Sequence, residues 1–558
     1  MPKATKTNPP RPTWDTSLQL LSFLATTVSV ISFLFYYKSG DFFLYGDAVA
    51  HINIARRVFD SKTPGLLQLG TVWLPLPHLL MIPFLLSKQL WQLGVGGSIP
   101  SMAGYVFAVL GIFRLTRSAL SRSAEPDNAA QVAAWTATII FAANPNLIYM
   151  QSTAMGETVY LAFFLWSTVY FVEHMRGDAK ALTKSGLCLA AACLTRYDGW
   201  LLAAAMAATV LLPSLFPRNK ESKAVPRRAA IKFCLIAAAA PALWLAYNAI
   251  VYRNPLEFAN GPYSAKAIEG KSQSEGNPGH PGSGNPIVAG MYFLKSAEAN
   301  VAANQWLGRA WVLILAAAVI AGFAYRRRRN EGTPQAPPLP NWHPLLFLLI
   351  PLPFYALSIS YGGIPIFVPT WWPFSFYNVR YGLQLLPAFA VALAALVYIA
   401  IRAESWPRYP RLTCAIVPFV LAAASYASVW RATPVSLKEA QINMRTRTQL
   451  ELELARWLAT LPPDATLLMY VGDHVGALER AGVPLRQTIN EGNHRVWKQP
   501  TDPEGLWERA LANPRQYADY VLAFEGDPVW QAVHNLRLPE IVEIHVSGQA
   551  RAAIYRAR

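Results

Sequence analysis

Long apolar runs alternate with short polar ones along this chain on a scale that suits a membrane. Stretches near the roughly 20 residues needed to cross a bilayer core fall at about 17–37, 98–117, 130–150, 156–174, 182–196, 198–215, 230–250, 307–325, 343–360, 381–401 and 411–430. The pattern predicts about eleven helical spans. A further apolar run from Trp73 to about Trp91 carries Pro75, Pro77 and Pro83, which interrupt helical hydrogen bonding, and it reads as a segment lying along the outer interface.

The distribution of basic residues supports that placement. With the Trp73 run on the interface, the segments Lys3/Lys6/Arg11, Arg114/Arg117/Arg122, Arg176/Lys180/Lys184, Arg218 to Lys232, Arg326 to Arg329 and Arg402/Arg408/Arg411 share one side, as the positive-inside rule requires. Counting the run as a span would put every cluster but the first outside. The expected arrangement is a multi-pass protein of a bacterial inner membrane, with its amino terminus cytoplasmic and its carboxy-terminal part extracytoplasmic. The first run reads as a retained anchor, since it is long, lacks a small-residue cleavage site and is followed by further spans.

Composition agrees with the pattern: of 558 residues, 53% are hydrophobic and 15% charged, a balance for a chain largely dissolved in lipid. The formal charge of +17 comes mostly from short loops between spans, so it reports topology, and no nucleic-acid partner is expected. Cys188, Cys193, Cys234 and Cys414 all fall in predicted spans, with no metal-ligand spacing and no outer pair to cross-link.

Two parts are expected: a polytopic membrane domain over residues 1–430 and an extracytoplasmic α/β domain over 431–558. The outer segments 38–97, 251–306 and 361–379 are long and hold their own apolar residues, which marks the outer face as the working face. Within the second, Gly270 to Asn285 has the composition of a mobile segment ordered by substrate, or of a plain linker. From about Ser436 the composition changes: Lys438 to Leu461 reads as an amphipathic helix, followed by strands near 466–471, 520–524, 541–546 and 552–555 and helical patterns near 504–512 and 528–535. That alternation suggests a small α/β layer.

Candidate chemistry gathers at the outer boundary. Asp47, just past the first span, opens an expected interfacial helix on which His51 lies four residues on, while Ala48, Ile52, Ala55 and Phe59 form an apolar stripe and Asn53, Arg56 and Asp60 point elsewhere. A partly buried carboxylate there can accept a proton from a substrate hydroxyl; a helix cap is the alternative. Glu157 opens the fourth span from the same face, where an ionisable residue is a functional hypothesis and a first-turn acid favoured by the helix dipole is the alternative. Arg196 and Asp198, in Thr195-Arg196-Tyr197-Asp198-Gly199-Trp200, suit either scaffolding or substrate contact. Arg380, in Tyr377-Asn378-Val379-Arg380-Tyr381-Gly382, can offset a phosphate leaving group through its planar fork, or simply snorkel. His51, Arg56, His78 and Tyr377 complete the candidate substrate-binding set. The aromatic run Pro369 to Tyr377 fits a groove for sugar or isoprenoid, or an interfacial belt.

Taken in order, Asp47, the Pro-rich segment Trp73 to His78, Glu157, Thr195 to Trp200, Arg380 to Pro387 and an outer carboxy-terminal domain resemble the polytopic GT-C glycosyltransferases, including the protein O-mannosyltransferases and aminoarabinose transferases of glycosyltransferase family 39. The resemblance covers nearly the whole chain. It implies a mainly α membrane bundle and transfer of a hexosyl or pentosyl group, with inversion, from a polyprenyl-phosphate sugar donor to a hydroxyl of a protein, glycolipid or polysaccharide acceptor. Asp47 would be the base and Glu157 would orient acceptor or base. Three departures stand out: Leu74-Pro75-Leu76-Pro77-His78 has no lysine where the family often has Lys-Pro-Pro, leaving either His78 or nothing as a substitute, the first-loop acid is followed by Ala48 rather than a second acid, and no Asp-x-Asp motif speaks for a divalent metal. A secondary transporter would place its ionisable groups near the bilayer midplane; a non-enzymatic envelope assembly protein would use the acids structurally.

Overall fold

The structure is a computed structural model that describes residues 16–121, 127–215, 225–274, 276, 278–330, 342–403, 406–472, 474–494 and 505–558. Of the basic positions above, Lys3, Lys6, Arg11, Arg122 and Arg218 lie outside the described residues, as do Glu275 and Asn277 of the Gly-rich segment.

The chain opens with α1 (Thr16–Ser39), whose Phe23, Ile31 and Phe35 face outward as expected of a lipid-facing helix. Next come α2 (Gly46–Arg57), α3 (Leu76–Leu85), α4 (Lys88–Gln92) and the long α5 (Val95–Leu120). Then α6 (Asn128–Ala142), α7 (Pro145–Gln151), α8 (Glu157–Met175), α9 (Ala181–Cys193), α10 (Asp198–Leu215) and α11 (Arg227–Tyr252) follow. After α12 (Glu257–Asn260) and α13 (Ala265–Ser274), the bundle is completed by α14 (Pro286–Val301), α15 (Gln305–Asn330), α16 (Pro351–Ser360), α17 (Leu386–Arg402) and α18 (Arg408–Ala432).

Among the described residues, eight helical segments are long and apolar enough to cross a membrane by length and composition. The chain is a multi-pass membrane protein. The stretch read as 130–150 divides into α6 and α7, because the Asn144 side chain accepts the Leu147 N–H at 3.0 Å and starts a new helix with Pro145 in its first turn. The 13 residues of α9 rise only about 20 Å. The helix α8 runs 19 residues and is largely buried within the bundle.

Helix α5 packs along α8 at Gly104, where a Cβ would meet the Val159 nitrogen at 2.7 Å. Small residues permit this close approach of backbones, which in lipid is a main source of helix association.

From Val435 to Leu458 runs α19, which connects the bundle to a five-stranded sheet. The sheet contains β1 (Leu467–Met469), β2 (Thr488–Ile489), β3 (Tyr520–Phe524), β4 (Glu540–Ile544) and β5 (Ala552–Arg556), in the order β2-β1-β3-β5-β4. The pairs β1/β2 and β1/β3 are parallel, while β3/β5 and β4/β5 are antiparallel. Four of these strands match the expected ones. The two-residue β2 and the helix α20 (Val475–Ala481) are too short to leave a periodic signal. The first half of α19 is not part of a solvated domain: Ser436, Glu439, Ala440 and Met444 are buried against the bundle.

Candidate active site

Three carboxylates meet on one guanidinium. Arg380 sits in a 3-10 segment, Val379–Leu385, entered through Asn378 in the left-handed region at φ 56. Asn tolerates that conformation, and its side chain donates to the Pro365 carbonyl at 2.9 Å, holding the turn. Arg380 Nη2 donates to Asp47 Oδ2 at 2.5 Å, Nε to Glu157 Oε1 at 3.2 Å and Nη1 to Glu439 Oε1 at 2.8 Å. The other oxygen of Glu439 accepts the Val379 N–H at 2.7 Å. Glu439 therefore grips both the side chain and the backbone beside it.

The three acids differ in access. The side chains of Glu157 and Glu439 are 2% and 1% exposed, whereas that of Asp47 is 39% exposed. Asp47 stands in the first turn of α2, behind Tyr45, whose hydroxyl donates to the Ser436 carbonyl at 2.7 Å. One carboxylate thus faces open space while its partners hold the cation from behind.

A second arginine extends the network. Arg196 Nη1 reaches Glu157 Oε1 at 3.3 Å, Nη2 donates to the Tyr355 hydroxyl at 2.7 Å, and Nε lies 3.5 Å from Asp198 Oδ1. The Tyr381 ring lies between the two guanidinium groups, 4.5 Å from that of Arg196 and 4.9 Å from that of Arg380, so its π face stabilises both cations. The second oxygen of Glu157 is buried with no hydrogen-bond partner among the described residues.

The two histidines form a pair of their own. His51 Nδ1 and His78 Nε2 are 2.8 Å apart, and the His51 ring lies tilted at 4.8 Å from that of Trp73. Burial, reinforced by the positive charges of Arg380 and Arg196, pushes His51 down to about 3. Burial and then His51 hold His78 well below the usual imidazole range. Both are therefore neutral at pH 7, and His78 is fully buried.

The helix α2 does not lie with one face open, as its stripe suggested; Ala48 through Arg56, Ala50 aside, is buried. Its polar residues are each matched by a neighbour. Asn53 donates to Glu479 Oε2 at 2.6 Å, and Trp91 Nε1 donates to Asn53 Oδ1 at 3.1 Å. Arg56 bridges Asp60 at 2.8 Å and the Leu85 carbonyl at 2.5 Å, between the rings of Phe59 and Trp91. Arg486 reaches Asp60 at 3.3 Å from the sheet side. These contacts clamp the helix that carries Asp47 between α3, α4 and the carboxy-terminal part.

The structure thus brings Asp47, Glu157, Arg196, Asp198 and Arg380 into one network, with His51 inside the field of its two arginines. Arg56 is turned toward packing partners. The half-exposed Tyr377 stands on the hairpin closed by its bridge to Phe367, where desolvation and then the charge of Asp47 push its hydroxyl up. Glu439 was not anticipated, because a Glu in a Lys-, Arg- and Glu-rich amphipathic helix reads as solvated. No group of three or more His, Cys, Asp or Glu side chains among the described residues is set to hold a metal ion.

No known family model and no curated protein matches the sequence. Among solved structures, ArnT from Cupriavidus metallidurans in the apo state superposes with a TM-score of 0.55 at 13% identity, covering 97% of this chain and 99% of that one. The same protein bound to undecaprenyl phosphate gives 0.52 at 12% identity, over 98% and 99%. The apo oligosaccharyltransferase of Archaeoglobus fulgidus gives 0.48 at 12% identity, over 91% of this chain and 69% of that one. From end to end, this chain has the fold of ArnT.

Proposed function

We propose that this protein is an integral-membrane glycosyltransferase that moves a sugar from a polyprenyl-phosphate donor to an acceptor hydroxyl, with Asp47 as general base. The observation that carries this reading is the asymmetry of the Arg380 cluster: one exposed carboxylate and two buried ones on a single guanidinium. The ArnT structure holds undecaprenyl phosphate, and we carry that lipid-phosphate chemistry to this chain as the leaving group.

In the proposed step the acceptor oxygen attacks the anomeric carbon while Asp47 takes its proton. The bond from anomeric carbon to phosphate oxygen breaks on the opposite face, and the lipid phosphate leaves with the electron pair, so configuration inverts. Arg380 spends three N–H groups on carboxylates and keeps two on its terminal nitrogens. A phosphate drawn to Arg380 and Arg196 competes with Asp47 for the cation, which loosens the base toward the acceptor as the donor arrives. Glu157 and Glu439 keep both arginines aimed, and Tyr377 and the neighbouring rings supply apolar faces for sugar or prenyl chain.

The expected orientation, with Asp47 on the extracytoplasmic side, is supported by Arg114, Arg117, Arg176 and Lys184. They lie toward the ends of α5 and α8 and the start of α9, at the opposite end of the bundle from Glu157.

The test is turnover of radiolabelled polyprenyl-phosphate sugars by purified protein, compared with Asp47→Asn. Wild type should release polyprenyl phosphate, and Asp47→Asn should lose at least about 100-fold in rate while keeping its fold. Turnover retained in that variant would remove Asp47 as the base; no consumption across hexosyl and pentosyl donors would remove the transferase reading itself.

A further inference from the structure

One side chain fastens the far end of the Gly-rich segment. His280 is 4% exposed, and both of its ring nitrogens are engaged: Nδ1 accepts the Gly282 N–H at 2.9 Å and Nε2 lies 2.9 Å from the Ile366 carbonyl oxygen. An amide N–H can only donate and a carbonyl can only accept, so this geometry requires a neutral ring with its proton on Nε2. The ring packs edge-on against Tyr292 at 4.8 Å and lies tilted 5.1 Å from that of Phe367.

The residues it holds lead straight to Arg380. Ile366 stands between Pro365, whose carbonyl accepts from the Asn378 side chain at 2.9 Å, and Phe367, whose N–H and carbonyl pair with those of Tyr377 at 3.0 and 3.2 Å. The hairpin is tied again near its tip, where the Tyr292 hydroxyl donates to the Trp372 carbonyl at 2.6 Å. Tyr377 feels the charge of Asp47, and Asn378 is the left-handed entry to the Arg380 turn.

We propose that His280 is a positioning residue for the transfer site: neutral, it clamps the 366–377 hairpin and with it Tyr377 and the Arg380 turn, and protonated, it releases them. The proposal rests on the reading of the Arg380 cluster as that site. A proton on Nδ1 would face the Gly282 N–H donor to donor, so that hydrogen bond is lost and a charge is left buried. Burial holds the imidazole below its usual range, against smaller opposing effects of the Ile366 carbonyl and the Glu269 carboxylate. The surrounding groups are accounted for on each packed element. On α13, Glu269 accepts the His280 backbone N–H at 3.0 Å and Lys266 lies over the Tyr361 ring. On α14, Lys295 pairs with Glu298 at 2.5 Å and Tyr292 spends its hydroxyl on Trp372. Because the ring is harder to protonate folded than unfolded, the clasp is fully made above the ordinary value of 6.5 and is lost as pH falls below it.

The experiment is amide hydrogen exchange, read by mass spectrometry on the detergent-purified full chain without donor at pH 7.5 and pH 5.0, each rate taken relative to its intrinsic rate at that pH. Peptides spanning 366–377 should lose about tenfold in protection at the lower pH relative to those of β3. His280→Gln, which keeps a donor for the Ile366 carbonyl and cannot take up a proton, should show no such step, and His280→Ala should be unprotected at both pH values. In the turnover assay, the acid limb of kcat/KM should move to lower pH in His280→Gln. A wild-type hairpin equally protected at both pH values, or the same step in His280→Gln, would overturn the clasp, and an unmoved acid limb would overturn its tie to the transfer site. Exchange is read without donor, so the clasp stands or falls separately from the transferase reading.

Discussion

Replacing the members of the Arg380 cluster one at a time should reveal a graded order of stability that follows burial. Arg380→Met removes the common counter-charge from Glu157 and Glu439, both at most 2% exposed, leaving Glu157 to Arg196 and buried Glu439 to the Val379 N–H. Removing one partner of a buried ion pair costs about 3–5 kcal/mol, so this variant should lose at least that much. Glu439→Gln keeps the shape but turns one acceptor into a donor, which then faces either the Val379 N–H or Arg380 Nη1, now held at 2.7 and 2.8 Å. Arg380 keeps its other two carboxylates, so the loss is one charge-assisted hydrogen bond, about 1.5–3 kcal/mol. Asp47→Asn touches a side chain 39% exposed, where solvent screening limits an ion pair to about 0–1 kcal/mol. Equilibrium unfolding of the detergent-solubilised variants, followed by tryptophan fluorescence, should therefore rank Arg380→Met as most damaging, Glu439→Gln next, and Asp47→Asn near wild type. An Asp47→Asn variant as unstable as Glu439→Gln, or a Glu439→Gln variant indistinguishable from wild type, would refute the division into one working acid and two anchoring ones.

Two further outcomes follow from the geometry around this cluster. Because burial lowers both His51 and His78 in the folded protein, the unfolded chain takes up more protons as pH falls. Their contribution is fully present above the ordinary value of 6.5 and is lost progressively toward about 3; unfolding midpoints from pH 7.5 to 4.5 should decline, and the decline should flatten in His51→Asn/His78→Asn. At Gly382 an added Cβ would stand 2.4 Å from the Ala297 nitrogen, so Gly382→Ala must separate the Arg380 turn from α14. Overpacking of this kind costs about 1–3 kcal/mol, and thermal unfolding should report it while Gly40→Ala, where nothing lies within 4 Å, pays only for its left-handed backbone.

Much of this architecture is legible in the order of residues, because lipid imposes a rule that each segment obeys locally. A stretch such as 230–250 must be apolar along its length and helical to satisfy its own backbone groups, wherever its neighbours lie. The short strands at 467–469 and 520–524 announce themselves by apolar runs bounded by turn residues in the same local way. Asp47, Glu157 and Arg380 are visible for a related reason: an ionisable side chain at a membrane boundary is costly, so its presence is informative before any fold is known.

What the order of residues could not convey is which of these groups share a partner. Glu439 lies 59 positions from Arg380, in a helix whose charges suit water; only the docking of α19 against the bundle turns that carboxylate inward. His51 and His78, 27 positions apart, become a neutral pair because α2 and α3 fold face to face and exclude solvent. The apolar stripe on α2 promised one buried face, and the tertiary structure buries the polar faces too by supplying Glu479, Asp60 and the Leu85 carbonyl as partners. Hydrophobic length and pattern are properties of a segment and can be read from it alone, whereas the pairing of buried charges depends on distances across the assembled chain, and the low dielectric that makes those pairings decisive exists only once the chain has folded.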